Sequence, residues 1–216
     1  ELSFAKVVER NRAYFSAQII KEPMMTFFAD QVRARFPNAR YVFVVRDPRD
    51  NIRSQLNRKN VPGHLAQIES RYIPHRPPYN TMVDPTVWGG EGENYVGVLA
   101  HRWNRAVDAY LQYAEHMELA RYEDFCADKQ RYILALATHL GIEARRDIAD
   151  RVDIQYQPAG DHSTSWHEFF GPENLARITA ICADRMSALG YQTSSKPIIP
   201  VLGRSETTAM KNSTHE

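Results

Sequence analysis

The stretch Arg40-Tyr41-Val42-Phe43-Val44-Val45-Arg46-Asp47-Pro48-Arg49-Asp50-Asn51-Ile52-Arg53-Ser54-Gln55-Leu56-Asn57-Arg58 decides the fold. Tyr41 to Val45 is a continuous apolar, β-branched run, the pattern of a parallel strand covered on both faces. Asp47 and Pro48 follow at once, and a proline at a first helical position behind an aspartate cap predicts a helix to about Arg58. The strand's carboxyl end therefore points at a helix start, the local arrangement of a layered α/β domain.

On the amino-terminal side, Leu2, Phe4, Val7 and Val8 read as helix. Ala17 to Ile20 reads as a short buried strand stopped by Lys21-Glu22-Pro23, and Met24, Phe27, Phe28, Val32 and Phe36 recur at helical spacing up to Pro37-Asn38. On the carboxyl side, Val61 to Gly92 carries Pro62, Pro74, Pro77, Pro78 and Pro85 with several glycines, too many breakers for a regular element. Loops of that length usually bind or cover ligands. Tyr95, Leu99, Trp103, Ala106, Val107, Tyr110 and Leu111 then share one helical face, and Met117 to Ala120 reads as another strand. Tyr132, Ile133, Leu136, Ala137 and Leu140 make a helix stopped by Gly141, and a last helix begins at Gly171-Pro172 and ends at Gly190. The expectation is one α/β domain over residues 1–191 on a mainly parallel sheet, with residues 192–216 as a polar tail. Ligands in such sheets bind beyond the strands' carboxyl ends, where Lys21, Arg46 and Arg121-Tyr122 all fall.

The composition narrows the function classes. With 27 Lys+Arg against 26 Asp+Glu in 216 residues the net charge is +1, which argues against a nucleic-acid partner held by bulk positive charge. A content of 43% hydrophobic and 25% charged residues is enough to bury a core, so global disorder is excluded. Cys126 and Cys182 lack metal or disulfide-framework spacing and read as buried apolar residues. No apolar run reaches the roughly 18 residues of a membrane span. Cytoplasm is the default compartment, with a secretory lumen the alternative if an anchor precedes Glu1.

Arg46 at a strand tip, with Ser54 and Arg58 four residues apart on the following helix, puts two guanidiniums and a hydroxyl beside a helix amino terminus, which suits a phosphate dianion. The plainer alternative is that Arg46 bonds carbonyls or Asp50 while Ser54 is an ordinary helical serine. The spacing alone leaves both open.

Arg46-Asp47-Pro48-Arg49-Asp50 with Ser54 and Arg58 resembles the 3′-phosphate-binding motif of sulfotransferases that use 3′-phosphoadenosine 5′-phosphosulfate (PAPS), most closely in the tyrosylprotein and related bacterial branches. Lys21-Glu22-Pro23 resembles the family's Lys-x-Pro or Lys-x-His element, whose lysine contacts the phosphosulfate. Arg121-Tyr122-Glu123-Asp124-Phe125 followed by His139-Leu140-Gly141-Ile142 resembles the Tyr-Glu-Asp and Leu-Gly pair, whose tyrosine lies near the nucleotide. His162-Ser163-Thr164-Ser165-Trp166 and Ala188-Leu189-Gly190-Tyr191 follow in the family's order. The resemblance spans Ile19 to Tyr191 and implies a P-loop-NTPase-like three-layer fold, a sulfotransferase activity, PAPS as donor and its desulfonated form PAP as product, with no metal. It implies Arg46, Ser54, Arg58, Tyr122, Ser163 and Thr164 as nucleotide-binding residues and Lys21 and Glu22 as the catalytic candidates.

Two features depart from the family pattern. The amino-terminal loop that cradles the 5′-phosphosulfate with backbone amides is not in the sequence, and the expectation is that a segment preceding Glu1 carries it. The position where cytosolic members hold a catalytic histidine is Pro23, which leaves Glu22 as the adjacent carboxylate; His64 and His75 lie on the long loop. Trp103 reads as core, while Trp166 fits either an adenine stack or packing. The acceptor is a small molecule, carbohydrate or peptide, shaped by the Val61–Glu93 loop. Two other functions compete: a 3′-phosphoadenosine-binding module without turnover, and a kinase-like phosphotransferase, against which the absence of GxxxxGK[ST] counts.

Overall fold

Two parallel strands pair in the register expected of a crossover unit: β1 (Tyr41–Val45) lies beside β2 (Met117–Arg121), with Tyr41 opposite Met117 and Val45 opposite Arg121. They come from a computed structural model that describes residues 3–73, 92–154 and 163–193. Within the described residues this two-stranded sheet is joined by helices in a mixed α/β arrangement. The remaining helices are α1 (Phe4–Arg10), α2 (Arg12–Phe15), α3 (Ala29–Arg35), α4 (Pro48–Arg58), α5 (Tyr95–Leu111), α6 (Tyr122–Ala127), α7 (Lys129–His139) and α8 (Trp166–Ala188). None of these is long and apolar enough to cross a membrane.

The strand-to-helix turn forms as its residues dictate. Asp47 caps α4 by accepting the Arg49 backbone N–H at 2.9 Å, and Pro48 occupies the first turn, where its missing N–H costs nothing. One side of the sheet is core: Phe43 stacks on Tyr110 of α5 with ring centroids 5.0 Å apart, and Val45 is buried beside it. Ile52 and Leu56 of α4, Val96, Leu99 and Val107 of α5, and Ile178, Cys182 and Met186 of α8 fill the same core. Full burial of each such aliphatic side chain contributes about 1.5–3 kcal/mol. Packing of α4 and α5 against α8 thus fixes where the tip of β1 sits.

Several expectations are corrected. Ala17 to Ile20 is not a strand but a bend, and Ile19 is 67% exposed. An extended segment is stabilised by a ladder partner, and β1 makes its ladder with β2; the chain here is instead held by Phe15, which stacks on Phe36. Lys21 consequently follows a bend rather than a strand tip. The helix expected from Met24 opens as a 3-10 turn over Pro23–Phe28 before α3, and Phe28 stays exposed. Leu111, placed on the buried face by its spacing, is exposed, as is Cys126, whereas Cys182 is buried and its thiol is pushed up to about 12 by that burial. The last helix begins before Gly171, at Trp166, behind a capping box in which Ser165 and Glu168 bond each other's backbone. Gly171 has φ 66° and ψ 168°, a conformation open essentially to glycine alone, and there the helix bends.

The first part of the long loop is anchored by buried amides. Asn174 donates to the Gly63 and Leu65 carbonyls at 2.8 and 2.9 Å, and Asn94 donates to the Ala66 carbonyl and to Asn174 Oδ1. Tyr95 Oη donates to the Pro62 carbonyl, and burial pushes the Tyr95 hydroxyl pKa up to about 12. Gly63 approaches so closely that an added Cβ would lie 2.8 Å from the Phe169 carbonyl oxygen. Residues 74–91, with His75, and also His162 and the tail from residue 194, lie outside the described residues.

Candidate functional site

Arg46 leaves the tip of β1 with its side chain 21% exposed. Trp103 of α5 holds its backbone carbonyl through Nε1 at 3.0 Å, and the guanidinium sits over the Tyr122 ring at 4.9 Å. Its Nη2 stands 3.7 Å from Asp50 Oδ2, an ion-pair contact longer than a hydrogen bond. The plainer alternative for Arg46, a contact with Asp50, is therefore present, but in a loose form. Ser54 and Arg58 lie one turn apart on α4, with Ser54 half-buried and Arg58 exposed.

The carboxylates next to Arg46 are engaged elsewhere. Asp47 makes a two-pronged pair with Arg49, whose Nε and Nη2 lie 2.9 and 2.6 Å from its oxygens, and both residues are buried. Arg49 also donates to the Gln192 carbonyl at 2.9 Å and covers the Trp166 ring at 4.0 Å. Asp50 Oδ1 accepts from Arg53 Nη2 at 2.6 Å and from Trp166 Nε1 at 2.9 Å. Arg53 Nη1 donates to the Thr164 carbonyl at 2.8 Å, so the Ser163–Trp166 segment is fastened to α4. Trp166 is thereby committed to protein contacts on its ring nitrogen and on one face.

The two motifs after β2 also meet. Glu123 accepts the Asp47 backbone N–H at 2.8 Å through one oxygen and the Tyr191 hydroxyl at 2.8 Å through the other. Tyr191 is buried under Arg121, whose Cζ lies 4.4 Å from its ring centre, and burial with the Glu123 charge raises its pKa. Tyr122 has its pKa raised by its hydrogen bond with Cys126 and then by burial. It is the sequence-predicted residue in direct contact with Arg46.

Lys21 and Glu22 are exposed and precede the 3-10 turn, and the Glu22 carboxylate caps it by accepting the Met24 N–H at 3.0 Å. Just after them, Met24 is joined to α4 by Arg102 of α5, which bonds Met24 Sδ at 3.6 Å and Gln55 Oε1 at 3.1 Å. Sequence reasoning missed Arg102, Arg53 and the buried Asp47–Arg49 pair. The alternation of Asp and Arg through Asp47, Arg49, Asp50 and Arg53 is the signal that could have found the last two; nothing in the sequence marks Arg102.

No curated protein and no solved structure matches the chain. Residues 2–73, the third of the chain that holds Lys21, Arg46, Ser54 and Arg58, match the model of the sulfotransferase family.

Proposed function

We propose that the protein transfers a sulfuryl group from PAPS to a hydroxyl or amine of a small-molecule, carbohydrate or peptide acceptor, on a P-loop-NTPase-like three-layer domain to which these residues belong. The observation that carries the reading is Arg46. A half-sheltered guanidinium at a strand tip, ahead of a capped helix amino terminus and only loosely paired at 3.7 Å, has the charge and the spare donors for a phosphate dianion. Arg46, Ser54 and Arg58 would hold the ribose 3′-phosphate, which separates PAPS from ordinary adenine nucleotides. Tyr122, Ser163 and Thr164 would complete the nucleotide contacts.

Sulfuryl transfer needs alignment and charge stabilisation more than covalent help. The acceptor's lone pair forms the new bond to sulfur as the bond to the bridging oxygen breaks. That electron pair leaves with the 5′-phosphate of PAP, and the acceptor proton passes to a base. Lys21 would stabilise the charge building on the bridging oxygen, and Glu22 is the candidate base. The Glu22 carboxylate already accepts the Met24 amide, and this bond favours a second reading, a 3′-phosphoadenosine-binding module without turnover.

Calorimetry with 3′,5′-ADP and with 5′-AMP tests the binding half. The parent chain is expected to prefer 3′,5′-ADP, and Arg46→Ala to weaken it by about 10- to 100-fold, because one charge-assisted bond contributes roughly 1.5–3 kcal/mol. Equal affinity of parent and variant for 3′,5′-ADP refutes the site. Transfer of radiolabelled sulfate from PAPS to an acceptor panel then separates the enzyme from the module.

A further inference from the structure

Asp50 is placed to silence Arg46. It lies four residues further along, at the start of α4, and a carboxylate there would ordinarily close on the guanidinium at about 2.7–2.9 Å. In the structure it does not. Its Oδ1 takes two donors, Arg53 Nη2 at 2.6 Å and Trp166 Nε1 at 2.9 Å, while Oδ2 faces Arg46 Nη2 at 3.7 Å. Both donors are themselves fixed. Arg53 is buried and bonds the Thr164 carbonyl, and the Trp166 ring lies under the Arg49 guanidinium, which is locked by Asp47. With Oδ1 held by both donors, the carboxylate rests with Oδ2 3.7 Å from Arg46 Nη2.

We propose that Arg53 and Trp166 are positioning residues for the anion site: by holding Asp50 Oδ1 they keep the carboxylate off Arg46, so that Arg46 can take a phosphate dianion instead. The proposal rests on the reading of Arg46 as a 3′-phosphate ligand. Neither residue touches the phosphate, and both act through Asp50. Released from them, Asp50 becomes an internal competitor for the phosphate.

The test is a mutant cycle on the full chain, read by calorimetry with 3′,5′-ADP. Arg53→Met keeps the apolar stem and removes the clamp, and it should weaken binding by about tenfold. Trp166→Phe removes the indole N–H while keeping an aromatic ring under Arg49, and should weaken it by about threefold. Asp50→Asn keeps an acceptor for both donors but removes the competing charge. Added to either variant, it should return affinity to within about twofold of Asp50→Asn alone, which a general loss of folding would not allow. If both single variants bind as tightly as the parent, or Asp50→Asn fails to restore them, the clamp is refuted. Should Arg53→Met not fold by circular dichroism, the Trp166→Phe pair decides alone. A parent that binds 3′,5′-ADP no better than 5′-AMP instead refutes the anion site, and the clamp with it; a parent whose preference is lost in Arg46→Ala while Trp166→Phe and Arg53→Met keep it leaves the site standing and refutes only the clamp.

Discussion

Replacing Asn174 by leucine should release the loop after α4 without opening a cavity. Asn174 is buried on α8 and its amide supplies the donors for the Gly63 and Leu65 carbonyls, while its oxygen accepts from Asn94 Nδ2 at 2.9 Å and Arg177 Nη1 at 2.7 Å. Leucine has the same number and branching of side-chain heavy atoms and is no smaller, so it opens no cavity and the loss is chiefly of hydrogen bonds. A buried polar group left without a partner costs about 1–3 kcal/mol. The Gly63 carbonyl is buried and bears the full cost; the Leu65 carbonyl and Arg177 are partly exposed and can recruit water. The sum is about 3 kcal/mol, which for a chain of this length lowers Tm by about 6–12 °C. Hydrogen exchange should show the loss concentrated in residues 61–68, because local opening follows the bonds removed. Arg177→Ala is the control: it removes one bond to the Asn174 oxygen but leaves the amide that holds the Gly63 and Leu65 carbonyls. Its pair with Glu93 is at the surface and is worth less than about 1 kcal/mol. A Tm within 2 °C of the parent, or unchanged exchange across 61–68, would show that the asparagine pair does not hold the loop.

Other consequences can be measured directly. Asp47→Ala removes both the cap of α4 and the partner of buried Arg49, and breaking a buried pair of this kind costs about 3–5 kcal/mol in chemical denaturation; a loss below about 1 kcal/mol would contradict the pairing. The Glu168 carboxyl is held below its usual range, first by the Ser165 backbone N–H and then by the Ser165 hydroxyl. Its contribution to stability is therefore present above the unfolded-state pKa and is lost as pH falls through the lower folded-state value. Glu168→Gln should flatten the acid side of the stability–pH curve and leave its neutral side parallel to the parent's. In native protein at pH 8 a maleimide should label exposed Cys126 and spare Cys182, whose thiol burial holds at a pKa of about 12; two labels per folded chain by mass spectrometry would contradict the core packing.

What the sequence made legible was whatever is decided locally. The run Tyr41–Val45, the Asp47 cap and Pro48 gave β1 and α4 with the observed end at Arg58, because capping and β-branching act within a few residues. Gly141 and Gly190 marked helix ends for the same reason, and both adopt positive φ. Ala17–Ile20 failed because a strand is defined by its neighbour, which four apolar residues do not specify. The apolar spacing of Met24 and Phe28 could not reveal that Pro23 opens a 3-10 turn with a different repeat. At the candidate site Arg46 lies over the Tyr122 ring, but the contact that we propose keeps Arg46 available was hidden. It depends on Trp166, which is 116 residues from Asp50 in sequence.

The same distance explains why α8 organises the site although it contributes none of Arg46, Ser54, Arg58, Tyr122, Ser163 and Thr164. Before the bend at Gly171, Trp166 reaches α4 and binds Asp50; after it, Asn174 reaches the loop and binds Gly63 and Leu65. A straight helix would set these two side chains, eight residues apart, about 80° apart around its axis. The positive φ at Gly171 breaks that relation and lets one element serve two directions. The close approach of Gly63 to Phe169 then ties the two directions together, since any side chain at residue 63 would collide with the turn that presents Trp166. The loop that leaves α4 and the arginine that precedes it are therefore held by one bent helix. A shift in α8 would move the proposed anion site and the loop beside it as a unit.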